Sequence, residues 1–248
     1  MKDLGLTLSA GRPARIAEEI GRRIVNGELP PGTPLPPETV LLEELGVSRT
    51  TLREAFKILA AKGMLSAKPK VGTIVRPESA WSLLDPEVLG WLFESGDLDA
   101  ALVELFETRR MIETEAAGLA ADMASPPDVA RIRAAYDRMA EPGLPVTRAL
   151  DADVAFHRAI IEASANRFMR ALGDVSETAL RATVKLSVRR PGGLPHSLPQ
   201  HLAVLRAIEA RDVVAARTAM SELIQNAQSD AVEAARERRR EAVRRASA

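Results

Sequence analysis

Cysteine is absent from the 248 residues. Disulfide staples, thiolate zinc sites and cysteine nucleophiles are thereby excluded, and a reducing compartment is the natural setting. The chain also lacks any run of about 18 apolar residues, and no apolar stretch near its N-terminus precedes a small-residue cleavage site. Membrane insertion and secretion are not expected; the cytoplasm is. Net charge is missing too, with 34 Lys and Arg against 34 Asp and Glu. This balance conceals a segregation: residues 1–76 carry 12 basic against 8 acidic side chains, residues 77–235 carry 16 against 24, and residues 236–248 carry 6 against 2. A basic segment joined to an acidic body suits one part that meets phosphates and another that does not.

What is present is enough apolar material, 46% of the residues, for a small domain and a medium one. Helical periodicity begins with Ile16, Ile20, Ile24 and Val25 and stops at Asn26-Gly27. Five prolines between Pro30 and Pro37 fix φ and remove donors, so this stretch reads as a rigid turn. A second helix starts near Glu38 and ends at Gly46. A third is capped by Ser48 and runs to about Gly63, with Leu52, Ala55, Phe56 and Leu59 on one face. The period then changes. Met64–Ala67 and Thr73–Arg76 read as two short strands around a basic turn, Lys68-Pro69-Lys70-Val71-Gly72.

In helix-turn-helix recognition the second helix lies in the major groove, its N-terminal residues at base edges. Gly46-Val47-Ser48-Arg49-Thr50-Thr51-Leu52-Arg53 suits that task. Ser48, Thr50 and Thr51 can donate to phosphate or base, Arg49 can fork onto guanine, and Arg53 follows one turn later on the same face. Lys68 and Lys70 in the turn between the strands can add phosphate contacts that set register. Leu35-Pro36-Pro37-Glu38, Val47–Ala55, Gly63-Met64-Leu65 and Gly72-Thr73-Ile74-Val75 together resemble the winged helix-turn-helix signature of GntR-type regulators. The resemblance implies DNA contacts from Ser48, Arg49, Thr50, Thr51, Arg53, Lys68, Lys70, Gly72 and Thr39; at Thr39 the family often has arginine.

Residues 78–97, with Trp81 and Trp91, read as a linker that packs. Beyond it every segment is helical in pattern: 98–123, 127–140, 146–163, 167–188, 198–210 and 212–235, separated by proline-bearing breaks and expected to pack as an antiparallel bundle. Residues 236–248, rich in arginine and alanine, read as a basic tail that frays. The expected organisation is thus mostly α: a winged helix-turn-helix over 9–77, the linker, an all-α bundle over 98–235 and the tail.

Several polar residues fall on apolar faces of that bundle, where burial costs several kcal/mol unless partners satisfy them. Asp153 and His157 lie four apart on the stripe of Leu150, Ile160 and Ile161. His201 shares a face with Leu198, Leu205 and Ile208, and Arg109 lies on the stripe of Leu102, Leu105, Ile112 and Ala116. One Asp and two His from different helices can hold a divalent ion such as zinc and leave positions open for a ligand's oxygens, while Arg109 clamps a carboxylate. The plainer alternative pairs Asp153 with His157 across one turn and lets His201 donate to a backbone carbonyl. Glu113, one turn after Arg109, reads as its ion-pair partner, and no second inward carboxylate of suitable spacing presents itself.

Asp153-Val154-Ala155-Phe156-His157, Asn166, His201–Ile208 and Arg109–Glu113 also resemble the FCD effector domain of the FadR branch of GntR regulators, over roughly residues 100–230. That likeness implies that Asp153, His157 and His201 are metal ligands. Where a third histidine usually follows, this chain has Leu223, leaving three protein ligands. The linker Trp81–Trp91 and the segment before His201 are similar to the galactonate-operon repressors, a branch that implies a sugar-acid effector held by Arg109, with Ser197 and His196 at the rim and Asn166 nearby. The expected function is that of a homodimeric regulator, a repressor, of a carbohydrate or sugar-acid operon, binding operator DNA and a small carboxylate. The competing readings are a metal-dependent helical enzyme acting on a small hydroxy acid and a helical scaffold. The first lacks a placed general base; the second leaves the chemistry of Ser48–Arg53 unexplained.

Overall fold

A computed structural model describes residues 11–95, 98–187 and 193–246. The chain divides after Asp97 into two compact units.

The first unit opens with α1 (Arg12–Val25), which has proline in its first turn and buries Ile16, Ala17, Ile20, Gly21 and Ile24. α2 (Glu38–Leu45) ends at Gly46, whose φ of 60° is the left-handed conformation that costs a glycine little. The Gly46 carbonyl accepts from Arg12 Nη2 at 2.6 Å, which fixes the turn against α1. α3 (Arg49–Ala61) is capped by Ser48, whose hydroxyl accepts from the Thr51 amide. β1 (Leu65–Lys68) and β2 (Gly72–Val75) form an antiparallel hairpin with Leu65 opposite Val75 and Lys68 opposite Gly72. Sequence pattern suggested only a rigid turn for the proline-rich stretch. In the fold it also serves the sheet: Pro34 bridges to Ile74, and the Leu35 amide donates to the Thr73 carbonyl at 2.8 Å.

Leu41, Leu52, Leu59, Met64 and Val75 close the core of this unit together with Ile20 and Ile24. Residues 78–95 belong to the same core. Trp81 and Trp91 are buried in it, the latter on the short helix α4 (Pro86–Leu92). A Cβ at Gly21 would lie 2.3 Å from the Trp91 ring, so the absence of a side chain there lets α4 lie directly on α1. Lys62 Nζ fastens the same segment with contacts of 2.7 Å to Asp85 and 2.6 Å to Glu87.

The second unit consists of α5 (Leu98–Met123), α6 (Pro126–Met139), α7 (Val146–Ala163), α8 (Arg167–Ser187), α9 (Gly193–Glu209) and α10 (Val213–Ala246). α5 packs against α7, α8, α9 and α10, and α6 covers α7 and α9. Small residues on α5 (Ala116, Ala117, Ala120, Ala121) are fully buried, which allows close approach of the neighbouring helices, while Phe106, Phe156, Ile160, Leu205 and Ile208 fill the interior. Burying each of these larger side chains stabilises by about 1.5–3 kcal/mol.

Two expectations are corrected. α9 starts at Gly193, not at 198, because a helix tolerates proline in its first turn, where the missing N–H has no partner to lose; Pro199 is carried further inside. Residues 236–246 are not a frayed tail but continue α10, since their arginine, glutamate and alanine are all strong helix formers with no breaker among them. No described helix is long and apolar enough to cross a membrane.

Candidate functional site

The exposed face of α3 gathers the residues expected to read DNA. Arg49 and Arg53 are 62% and 61% exposed, and both lean toward Glu38 on the first turn of α2, at 3.9 and 3.5 Å. Ion pairs this long and this exposed contribute little and exchange readily for another anion. Thr50 is exposed, whereas the Ser48 and Thr51 hydroxyls lie 2.9 Å apart and engage each other. Ser48 is thus occupied by capping, which presents Arg49 at the helix N-terminus. Thr39 is exposed beside Glu38. Lys68, Lys70 and Gly72 are exposed around the hairpin turn, where Lys70 itself takes a φ of 64°. Sequence reasoning missed the role of Glu38 as the shared tether of the two arginines; its only signal was a carboxylate at the start of α2.

The second cluster is buried inside the bundle. Arg109 and Glu113 come from α5, Asp153 and His157 from α7, and His201 from α9, each at most 5% exposed. One ligand atom from each of Asp153, His157 and His201 lies within 4.8 Å of the others. His201 Nδ1 is 2.8 Å from the Ser197 carbonyl oxygen, so Nδ1 carries the proton and donates it, as a carbonyl can only accept. His201 Nε2 then faces Asp153 Oδ1 at 3.0 Å. His157 Nδ1 lies 2.5 Å from Glu113 Oε2, and its Nε2 lies 3.9 Å from Asp153 Oδ1. Both short contacts, His157 Nδ1 to Glu113 and His201 Nε2 to Asp153, are off the axis of a hydrogen bond.

Burial is the largest influence on the Glu113 carboxyl and pushes its pKa upward, but Arg109 and His157 outweigh it and hold the group down to about 2. Asp153 behaves alike. Desolvation raises it, and the His201 contact followed by the charges of His157, His201 and Arg109 brings it below the usual range. Both carboxylates are therefore ionised. Arg109 Nε donates to Glu113 Oε1 at 2.8 Å, and its guanidinium stacks 5.1 Å from the Phe106 ring. Among the described residues that is its one hydrogen bond, so no described group accepts from its Nη donors.

A lone pair on His201 Nε2 cannot stably face an ionised carboxylate at this distance without a cation between them, either a proton or a metal ion. Two imidazoles and a carboxylate are the donor set that binds zinc and related ions, and here the second nitrogen of each ring faces an oxygen, the Ser197 carbonyl for His201 and Glu113 for His157. The residues present fit such an ion. Leu223 is buried and apolar and supplies no fourth ligand.

Other expected ligand residues are less buried than this cluster. Asn166 is exposed and spends its side-chain oxygen capping α8, accepting from the amides of Phe168 and Met169 at 2.9 and 3.2 Å. His196 is exposed, and Ser197 is half-buried with its carbonyl directed to His201. Glu113 is the inward carboxylate that periodicity alone did not place: beyond pairing with Arg109, it reaches His157 on another helix.

Comparison with known proteins bears on both clusters. Residues 13–75 match the family described as bacterial regulatory proteins, gntR family, and residues 104–226 match the FCD domain. The galactonate operon transcriptional repressor of Escherichia coli is 31% identical over 219 residues, covering 88% of this chain and 95% of the relative. The chain belongs to the GntR family. It is a FadR-like member, a DNA-binding transcriptional regulator whose helical unit is an FCD domain, the type of domain that binds small-molecule effectors. The putative L-lactate dehydrogenase operon regulatory protein of Escherichia coli is 32% identical over 217 residues, 84% of this chain and 83% of the relative. A solved structure described as "Lar controls the expression of the Listeria monocytogenes agr system and mediates virulence" shares the fold, with a TM-score of 0.60 over 92% of this chain and 98% of that one at 18% identity. The GntR family and these relatives are regulators rather than enzymes.

Proposed function

We propose that this GntR-family regulator is a cytoplasmic, homodimeric repressor of a sugar-acid catabolic operon, released from its operator by a small hydroxy carboxylate such as an aldonate. The observation that carries this reading is the buried Arg109, with Nη donors that no described protein group accepts, in one interior with Asp153, His157 and His201. Those Nη donors call for acceptor oxygens beyond the one carboxylate that already holds Nε, and a divalent ion on Asp153, His157 and His201 would leave the cluster a positive charge for an anion to balance. The names of the two relatives point the same way, since galactonate and L-lactate are both hydroxy acids.

In this reading Asp153, His157 and His201 hold a divalent ion, zinc or similar. The ion supplies a Lewis-acidic anchor for oxygens of the effector. Arg109 takes the effector's carboxylate through its Nη donors, and Ser197 fixes the face that His201 presents. Outside the bundle, Arg49 and Arg53 exchange Glu38 for base edges or phosphates, and Lys68 and Lys70 add phosphate contacts. Dimerisation spaces two recognition helices for half-sites about 34–36 Å apart. An effector that prefers a different spacing needs a coupling of only about 1–3 kcal/mol to switch occupancy usefully.

Thermal shift with a panel of sugar acids, with and without chelator, tests this reading directly. Aldonates are expected to raise the melting temperature and chelation to abolish the rise. A panel in which no carboxylate shifts the melting temperature would remove the effector assignment.

A further inference from the structure

One side chain touches both halves of the buried cluster. Glu113 Oε1 accepts from Arg109 Nε at 2.8 Å, while Oε2 lies 2.5 Å from His157 Nδ1. Glu113 is 1% exposed, so bulk solvent does not screen either contact. At 2.5 Å a bare ring lone pair and a carboxylate oxygen would repel, so Nδ1 carries the proton, held toward Oε2 by charge in a contact that lies off the hydrogen-bond axis. The neutral imidazole that can bind a metal ion has one N–H, so a proton on Nδ1 leaves a lone pair on Nε2, the atom turned toward Asp153. On α5, Arg109 precedes Glu113 by one turn; holding its Nε consumes one edge of the guanidinium and leaves the Nη edge for a second anion.

We infer that Glu113 is the positioning residue shared by the effector-binding and metal-binding halves of the site: one oxygen aims Arg109 at a ligand carboxylate, and the other sets the His157 tautomer that presents Nε2 to the ion. This rests on the reading of the buried cluster given above. Only a carboxylate meets both demands. Glutamine has one acceptor oxygen, so it can serve Arg109 or His157, but its amide would meet the other donor head on. Glu113 thereby links the two ligands: each occupies a group whose orientation depends on the same side chain, so loosening it weakens both.

The chain has three histidines, which makes a nitrogen-15 NMR assignment of the ring tautomers tractable with single His→Gln variants. In the unsubstituted protein, zinc-free and zinc-loaded, Nδ1 of His157 is expected to carry a proton. In Glu113→Gln the zinc-free His157 is expected to shift toward the Nε2–H tautomer. Calorimetric titration should show zinc binding about 10–100-fold weaker in Glu113→Gln, with D-galactonate affinity also reduced by at least tenfold. A merely structural role for Glu113 would lower the melting temperature of the metal-free protein but leave the tautomer unchanged. An unsubstituted His157 bare at Nδ1 overturns the inference even if Glu113→Gln does not fold. A variant in which only one of the two affinities falls also overturns it, because the residue would then serve only one half. Absence of zinc uptake by the unsubstituted chain would instead sink the metal reading itself, and the inference with it.

Discussion

Both units of this regulator set arginine against glutamate, and they do so in opposite media. In the N-terminal unit Arg49 and Arg53 share Glu38 at 3.9 and 3.5 Å, more than half exposed. In the C-terminal unit Arg109 meets Glu113 at 2.8 Å, both nearly sealed from solvent. Water decides what each pairing can do. On the surface the attraction is screened to a fraction of a kcal/mol, so Glu38 parks the arginines without holding them, and a duplex can take them over. Inside, the pairing is part of a network in which removing one member strands the rest. One contact exchanges readily, and the other is locked into a network.

The comparison is broken most severely by Arg109→Ala, which removes the charge that chiefly offsets the burial of the Glu113 carboxyl. Urea unfolding should show a loss of about 3–5 kcal/mol, and an undiminished midpoint would mean that the buried pair is not held as described. Arg49→Ala should leave stability within about 0.5 kcal/mol but weaken binding to the chain's own upstream DNA by about 1–3 kcal/mol, with D-galactonate affinity unchanged. Normal footprinting by that variant would take the reading role away from α3. Smaller still is the effect of Ser48→Ala. It removes the cap that presents Arg49 and should cost about 1 kcal/mol of stability, measurable by the same unfolding experiment alongside a proportionate loss of operator affinity. The gentlest test is Lys70→Ala, which should lower DNA affinity almost uniformly across sequences and reduce the slope of log affinity against log salt by about one. An unchanged slope would detach the wing from the phosphates.

Much of this architecture was legible in the residues because its signals are local. Gly46 and Ser48 mark the turn and the cap, apolar spacing marks α3, and the inward stripes of α5, α7 and α9 identified Arg109, Asp153, His157 and His201 as buried before any fold was known. The unread parts have different causes. Glu113 reaching His157 is a contact between α5 and α7, so spacing along one helix gives no sign of it. Glu38 resting between Arg49 and Arg53 depends on the packing of α2 against α3 in the same way. The C-terminal extension of α10 was obscured by charge: a run of arginines suggests a solvated tail, but helix propensity acts on the backbone regardless of what the side chains face. Asn166 matched a motif position, and its oxygen turned out to be committed to the start of α8.

The central claim is that the arginines of α3 grip DNA under the control of the buried cluster. Footprinting of the purified protein on its own upstream DNA, at low salt and with increasing D-galactonate, tests both halves at once. The account predicts a protected pair of half-sites that fades as the sugar acid is added and, independently, as salt rises. Absence of protection on every fragment at low ionic strength, or protection that no hydroxy acid alters, would contradict it.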